Sequence, residues 1–197
     1  MKISPNICLL FIIILYGCAE YTPRPKAYPK ITFPERGNET QTLACPFSLD
    51  IPIYSTFKNI DDPDNSCWYN VDYTPFNATL HLSYIPIEGP GDLDSLTEDA
   101  YRMVFKPHLQ RAEEIIEREI NDPVKNLTGM IYDLEGKTAT PLNFFISDGK
   151  SHFLRGSFYF NAKTNRDSIL PIYNFINKDI MRTIESIQFK NQTLFHT

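Results

Sequence analysis

The chain has 197 residues, of which 42% are hydrophobic and 13% aromatic, and its formal net charge is -5. This length favours one domain with a core large enough to fold without a metal, and the composition excludes a disordered protein. The negative charge, with no Lys/Arg-rich stripe or basic tail, argues against a nucleic-acid partner and against charge attraction to anionic lipids.

The N-terminus has the features of a lipoprotein signal peptide. The apolar run 7–16 follows Lys2 and is too short to span a bilayer, but it has the length of a signal-peptide hydrophobic region. It ends in Leu15-Tyr16-Gly17-Cys18, which resembles a lipobox with Tyr16 where a small residue is usual. We predict that residues 1–17 are removed and that Cys18 is acylated, which anchors the chain in a membrane. The alternatives are an ordinary secretory signal with a chance cysteine or a short buried helix.

The residues after Cys18 predict a tether and then a single domain. Residues 19–30 contain three prolines, which are typical of an extended segment. No acidic cluster follows the cysteine, so we expect the folded part to face the periplasm. The predicted organisation is a lipidated cysteine and tether over 18–30, a domain over 31–190 and a C-terminal tail over 191–197.

Alternation of apolar and polar residues predicts most of the strands. It is clearest at 78–84, where Leu80, Leu82 and Tyr84 face one way and the residues between them the other. Asp148-Gly149 provides the positive-φ position of a tight hairpin turn. The predicted strands are 30–34, 46–54, 67–73, 78–84, 127–134, 142–147 and 152–160, with a turn at 74–77 and a loop at 61–66. We place 46–54 at an edge, or as an irregular strand, because it contains Pro46 and Pro52.

Two long amphipathic helices are predicted. Ser95-Leu96-Thr97-Glu98 fits a capping box, and the helix that it begins is expected to run to about Asn121, with a kink or a break into two helices at Pro107. The second begins near Asp167 or Ser168, with apolar residues at spacings of three and four. Ser95 and Ser168 also match a short bacterial O-glycosylation signal, but helix capping is the simpler interpretation. The order of elements predicts an α+β fold with a mostly antiparallel sheet.

Several blocks of the sequence together resemble the gliding-motility lipoprotein GldD family of Bacteroidota, over residues 18 to about 190. The blocks are Tyr21-Thr22-Pro23, Cys45-Pro46-Phe47, Cys67-Trp68-Tyr69-Asn70, Phe76-Asn77-Ala78, His81-Leu82-Ser83-Tyr84 and the long segment 143–160. This resemblance implies a non-enzymatic, membrane-anchored component of the gliding-motility and protein-secretion machinery, with other proteins of that machinery as its partners. We expect an assembly or scaffold role and no cofactor. The element order also resembles the Mog1/PsbP-like sandwich, and a periplasmic module that binds a small ligand or glycan is the alternative function.

Cys45 and Cys67 are the cysteines of the mature chain besides Cys18. They flank a Pro- and Asp-rich loop, and the periplasm is oxidising, so we predict a disulfide between them. The alternative is two separate buried thiols. A zinc site is disfavoured because the spacing lacks paired ligands.

Polar residues on the predicted strands are the candidate site residues. Asp72, His81 and His152 could converge as a metal or acid–base site, but we expect them to be exposed or hydrogen-bonded on an open sheet face. A deep polar pocket lined by the two histidines would favour the ligand-binding alternative. Asp148, His152 and Arg155 are the possible partner contacts, since Arg155 could bind a partner's carboxylate. The simpler interpretation is an ion pair between Asp148 and Arg155.

An aromatic-rich set accompanies these polar residues: Trp68, Tyr69, Phe158 and Tyr159. We expect most of the four to lie in the core. Any that are exposed would mark an interface.

Overall fold

The computed structural model describes residues 30–60, 67–108, 112–136, 138, 140–162 and 166–190. The chain from Phe33 onward forms one compact unit. The predictions for the signal peptide, Cys18, the loop 61–66 and the tail 191–197 lie outside the described residues.

The described residues form ten strands and two α-helices. The strands are β1 (Asn38–Thr42), β2 (Phe47–Pro52), β3 (Thr56–Asn59), β4 (Trp68–Tyr73), β5 (Ala78–Pro86), β6 (Ala112–Asp122), β7 (Leu127–Gly136), β8 (Leu142–Ser147), β9 (His152–Phe160) and β10 (Gln188–Phe189). The helices are α1 (Asp92–His108) and α2 (Arg166–Ser186), and a 3-10 turn (Thr74–Phe76) joins β4 to β5.

The strands form two sheets, and every pairing is antiparallel. The large sheet has the order β3-β4-β5-β9-β8-β7-β6, and the small sheet has the order β1-β2-β10. The predicted α+β fold with a mostly antiparallel sheet is therefore confirmed. We predicted an edge position for β2, but it lies in the middle of the small sheet. The sheet tolerates both prolines there because Pro46 precedes the strand and Pro52 ends it. Neither proline removes an amide that the middle of the strand needs.

The two faces of the large sheet carry separate cores. One face packs against α2 and the small sheet, and its buried residues include Phe47, Phe144 and Ile180. The other face packs against α1, whose Ala100 and Val104 are buried with side chains of β7, β8 and β9. Helices thus lie on both faces of the sheet, because successive residues of each strand point to opposite faces and both sets are apolar there.

Residues 112–122 form the strand β6 and do not continue the first helix. The prediction that this helix runs to about Asn121 was therefore wrong. α1 ends at His108, directly after Pro107. β6 then pairs with β7 along its length, through a turn in which Asn126 has a φ of 55°. The Glu- and Ile-rich sequence favours a helix locally, but cross-strand pairing outweighs that preference.

Two other elements also differ from the predictions: the start of α1 and the predicted strand 30–34. α1 begins at Asp92 and not at Ser95, whose backbone amide already donates to the Gly91 carbonyl (3.1 Å) inside the first turn. Residues 30–34 are not a strand. Phe33 instead stacks on Phe175 of α2, with ring centroids 4.6 Å apart.

The segment 33–36 is fastened to α2 by more than this stack. The Arg36 guanidinium lies 4.4 Å from the centre of the Phe175 ring, and its Nε is 3.7 Å from a carboxylate oxygen of Asp179. Asp179 is 2% exposed and also accepts a hydrogen bond from the Tyr54 hydroxyl at 2.6 Å. Cation–π and ionic contacts therefore hold the chain to the helix just before β1 begins.

Candidate functional site

A disulfide joins the two sheets. In the structure, Cys45 is bonded to Cys67 with their Cα atoms 5.8 Å apart. Cys45 directly precedes the β2 region and is 4% exposed, and Cys67 directly precedes β4. The bond closes a segment of 22 residues, which on the chain-entropy account stabilises the fold by about 3 kcal/mol.

His152 is buried beneath the large sheet on the α2 side. Its side chain has Nδ1 2.7 Å from the Tyr84 hydroxyl, and its ring stacks on Phe189 at 4.9 Å. Burial raises the pKa of Tyr84 to about 12, and the charge of Asp148 adds to this shift. His152 is only 4% exposed, so its place is in the core.

Asp148 organises the hairpin turn between β8 and β9. Its Oδ1 accepts backbone hydrogen bonds from Lys150, Ser151 and His152 at 2.9 to 3.0 Å. Burial acts to raise the pKa of Asp148, but these hydrogen bonds and the nearby His152 outweigh it and lower the pKa. The carboxylate therefore has a structural role in the turn.

Arg155 does not pair with Asp148, which corrects the simpler of the two predictions for it. It lies on the opposite face of β9 from His152, and its Nη1 is 2.8 Å from the Met103 sulfur of α1. Burial lowers the pKa of Arg155, and the charge of Asp99 partly offsets that effect. The structure thus brings Asp148 and His152 together and places Arg155 elsewhere.

Asp72, His81 and His152 do not converge either. His81 lies on the α1 face of β5, whereas His152 lies on the α2 face of β9, as their strand registers require. Asp72 accepts hydrogen bonds from Lys58 (2.8 Å) and Thr79 (2.9 Å). Burial lowers the pKa of His81, and Asp72 partly offsets the shift. Among the described residues, no group of three or more His, Cys, Asp and Glu side chains is placed to hold a metal ion.

A row of polar residues crosses the whole α1 face of the large sheet. Its members lie directly opposite one another on successive strands: Lys58, Asn70, His81, Ser157, Asn143, Tyr132 and Glu117. Asn143 and Tyr132 are buried near α1, and a cavity of about 10 Å³ there has room for at most one water. Asn70, His81 and Ser157 are partly exposed, because α1 packs over the β7–β9 end of the sheet.

This leaves what we call the open face, on β4, β5 and β9. Its partly exposed residues include Trp68, Asn70, His81, Ser83, Arg155 and Tyr159. Trp68, Ser83 and Arg155 are direct cross-strand neighbours, and the His81 and Tyr159 rings are 5.2 Å apart. Trp, Tyr and Arg are the residue types most enriched at protein interfaces.

Two polar atoms of the open face are buried and have no hydrogen-bond partner among the described residues. They are the indole Nε1 of Trp68 and the Oδ1 of Asn70. An unpaired buried donor or acceptor costs about 1–3 kcal/mol, and because both atoms are buried, an outside group reaches them only if the side chains move. Trp68, His81, Arg155 and Tyr159 were candidate site residues from the sequence, whereas Asn70 and Ser83 were not. The alternation of Trp68, Asn70 and Asp72 on β4 is the signal that could have found Asn70.

Comparison with known families identifies the chain. The family described as gliding motility lipoprotein GldD matches residues 18–189. The chain belongs to the GldD family. This membership confirms the resemblance noted in the sequence, and it makes the protein a lipoprotein component of the gliding-motility machinery. We expect a GldD protein to associate with a membrane through its lipid. No helix in the described part of the chain is long and apolar enough to cross a membrane.

A solved structure supports the architecture seen in this GldD-family chain. The solution structure of cyanobacterial PsbP (CyanoP) from Synechocystis sp. PCC 6803 is similar, with a TM-score of 0.51 and 6% sequence identity. The match covers 82% of this chain and 97% of that chain. At this identity the likeness shows the fold alone, and it confirms the predicted PsbP-like sandwich. No curated protein matches the chain.

Proposed function

We propose that this protein is a non-catalytic, lipid-anchored assembly component of the gliding machinery, with its domain in the periplasm. We further propose that the open face binds another protein of that machinery. Family membership supports the machinery, and the structure supplies a surface for the contact.

The open face is the observation that carries this proposal. α1 covers one half of its side of the large sheet, and the other half exposes an aromatic and Arg-containing surface. Hot spots of interfaces have this composition and become fully desolvated on binding.

The polar residues that could suggest an enzyme have structural partners, which supports the non-catalytic part of the proposal. Asp72 pairs with Lys58, Asp148 holds a turn and His152 contacts Tyr84. His81 and His152 lie on opposite faces, so they do not share the pocket that would favour a ligand-binding module.

The test adds bulk and charge to the centre of the open face. Ser83 lies between Trp68 and Arg155 and is partly exposed, so Ser83→Arg can extend outward without disturbing the core. The control is Glu98→Arg on α1, which also introduces an arginine and changes the charge by one unit more, at a side chain that is 68% exposed. In a deletion strain, we expect Ser83→Arg to abolish colony spreading at normal protein abundance and Glu98→Arg to retain it. Normal spreading of both variants would overturn the open face as the contact surface.

Two further measurements test the rest of the proposal. His81→Ala and Asp72→Ala should leave spreading largely intact, because truncating most interface residues has a small effect whereas loss of an acid–base group disables an enzyme. A folded, normally abundant Asp72→Ala protein as inactive as the deletion would favour an enzyme, because Asp72 is not part of the open face. Protease added to whole cells should spare the domain and should cleave it once the outer membrane is permeabilised. Cleavage in whole cells would contradict the periplasmic orientation.

A further inference from the structure

The outer edge of β6 is a second surface, separate from the open face. β6 has eleven residues and lies at the end of the strand order, where it pairs with β7. Every second backbone amide and carbonyl of such a strand points away from the sheet, ready to pair with another strand. At about 3.4 Å per residue the edge is about 37 Å long.

The edge carries a strong negative charge. Its acidic residues are Glu113, Glu114, Glu117, Glu119 and Asp122, and Arg118 is its basic residue, which together give a net charge of -4. Arg118 is already paired with Asp133 of β7, at 3.7 Å. Because Arg118 is paired within the sheet, the charged groups of β6 that remain available to a neighbouring strand are carboxylates.

A groove lined by both apolar and charged residues lies beside this edge. It has a volume of about 260 Å³ and separates β6 and β7 from the C-terminal half of α2. Its lining includes Ile120, Ile131, Met181 and Ile184, and Lys125 spans one end by donating to the Glu185 carbonyl. Ile116 lies on the same face of β6 as Ile120 and is 38% exposed.

We infer that β6 is the docking edge for an extended, basic segment of a partner protein, which adds to the large sheet as an antiparallel or parallel strand. Backbone hydrogen bonds would supply affinity, and alternate Lys or Arg side chains would meet the glutamates. Apolar residues on the other face of the segment would contact Ile116 and Ile120 at the groove. A second copy of this chain fits poorly, because pairing of two β6 edges would place acid against acid.

Charged side chains on an edge also protect it from aggregation, so the charge alone does not separate protection from docking. Protected edges are usually short or strongly irregular, whereas β6 has one register shift, between Ala112 and Glu114. Its length and the adjoining groove favour docking.

The experiment uses the purified lipidated protein in detergent and a nine-residue peptide of alternating lysine and valine. The matched peptide has the same sequence, with alternate amides N-methylated so that one edge has no donors. We expect the first peptide to bind and to protect amides of residues 112–122 from hydrogen exchange. It should bind at least about tenfold more tightly than the second peptide, which lacks the donors for several backbone hydrogen bonds.

Charge reversal provides the second arm. Glu117→Lys combined with Glu119→Lys should weaken the unmodified peptide by at least about tenfold, whereas Asp94→Lys with Glu98→Lys on α1, an equal change of charge, should not. Equal binding of both peptides, or protection outside residues 112–122, would show non-specific attraction and overturn the inference. Absence of binding would overturn it as well. Protection of 112–122 that grows with protein concentration and without peptide would assign the edge to a second copy instead. None of these outcomes bears on the open face.

Discussion

The close packing of Phe144 against Gly156 in the large sheet can be tested by mutation. The two residues are direct neighbours on β9 and β8, and Phe144 is 1% exposed. A Cβ on residue 156 would lie 2.1 Å from the ring Cε1 and 2.3 Å from Cζ of Phe144. The aromatic ring therefore occupies the space that the missing side chain leaves.

Gly156→Ala should destabilise the domain by about 1–3 kcal/mol, because the ring must move by about 1 Å within a close-packed core. For a domain of this size, that corresponds to a fall in melting temperature of about 3–10 °C. Circular dichroism on the purified protein measures the change, and denaturant unfolding gives the free energy. The stability loss should come with reduced abundance and not with a specific loss of partner binding.

A double-mutant cycle isolates the clash. Phe144→Leu removes the ring atoms that a Cβ would meet, and alone it costs stability through lost packing. The combined Gly156→Ala, Phe144→Leu protein should be more stable than the sum of the single changes predicts, by about 1 kcal/mol. Unchanged melting of Gly156→Ala, or strict additivity of the pair, would refute the packing argument.

Three other predictions concern the N-terminus, the disulfide and the response to pH. Cys18→Ala should leave an unlipidated, mislocalised precursor, and palmitate labelling that persists would contradict the anchor. Cys45 and Cys67 should resist alkylation until reductant is added, and reduction should lower the free energy of unfolding by about 3 kcal/mol. Two alkylated thiols before reduction would exclude the bond. Because burial lowers the pKa of His81 below its ordinary 6.5, the unfolded chain binds that proton more readily. The stabilising contribution of neutral His81 is fully present above about pH 6.5 and is lost as the pH falls through the pKa of the folded state. The melting temperature of His81→Gln should therefore fall less between about pH 7.5 and pH 5 than that of the parent protein. An equal loss in both would contradict this.

Several parts of the fold could be predicted from local sequence. The alternation in β5, the Asp-Gly turn before β9 and the spacing of apolar residues in α2 each depend on one segment alone. β6 could not be predicted in this way, because its glutamates and isoleucines suit a helix equally well until β7 pairs with them. The short strands β1, β3 and β10 contain little pattern of their own.

The candidate site was predictable only in part. Trp68, Tyr159 and Arg155 were recognisable by residue type. Their assembly on one face depends on which half of the sheet α1 covers, and this is a property of the packed structure. The predicted ion pair between Asp148 and Arg155 depended on which face each side chain takes, and only the strand register decides that.

The contacts of Phe33 and Arg36 with Phe175 have a mechanical consequence. A pulling force on the lipid-anchored N-terminus would reach the domain at this contact. β1 pairs with β2 over five residues and would peel away if it took the load directly. The ring stack and the Arg36–Asp179 pair pass the load to α2 first. These contacts therefore protect the small sheet, because a force on the tether would load α2 before it could separate β1 from β2.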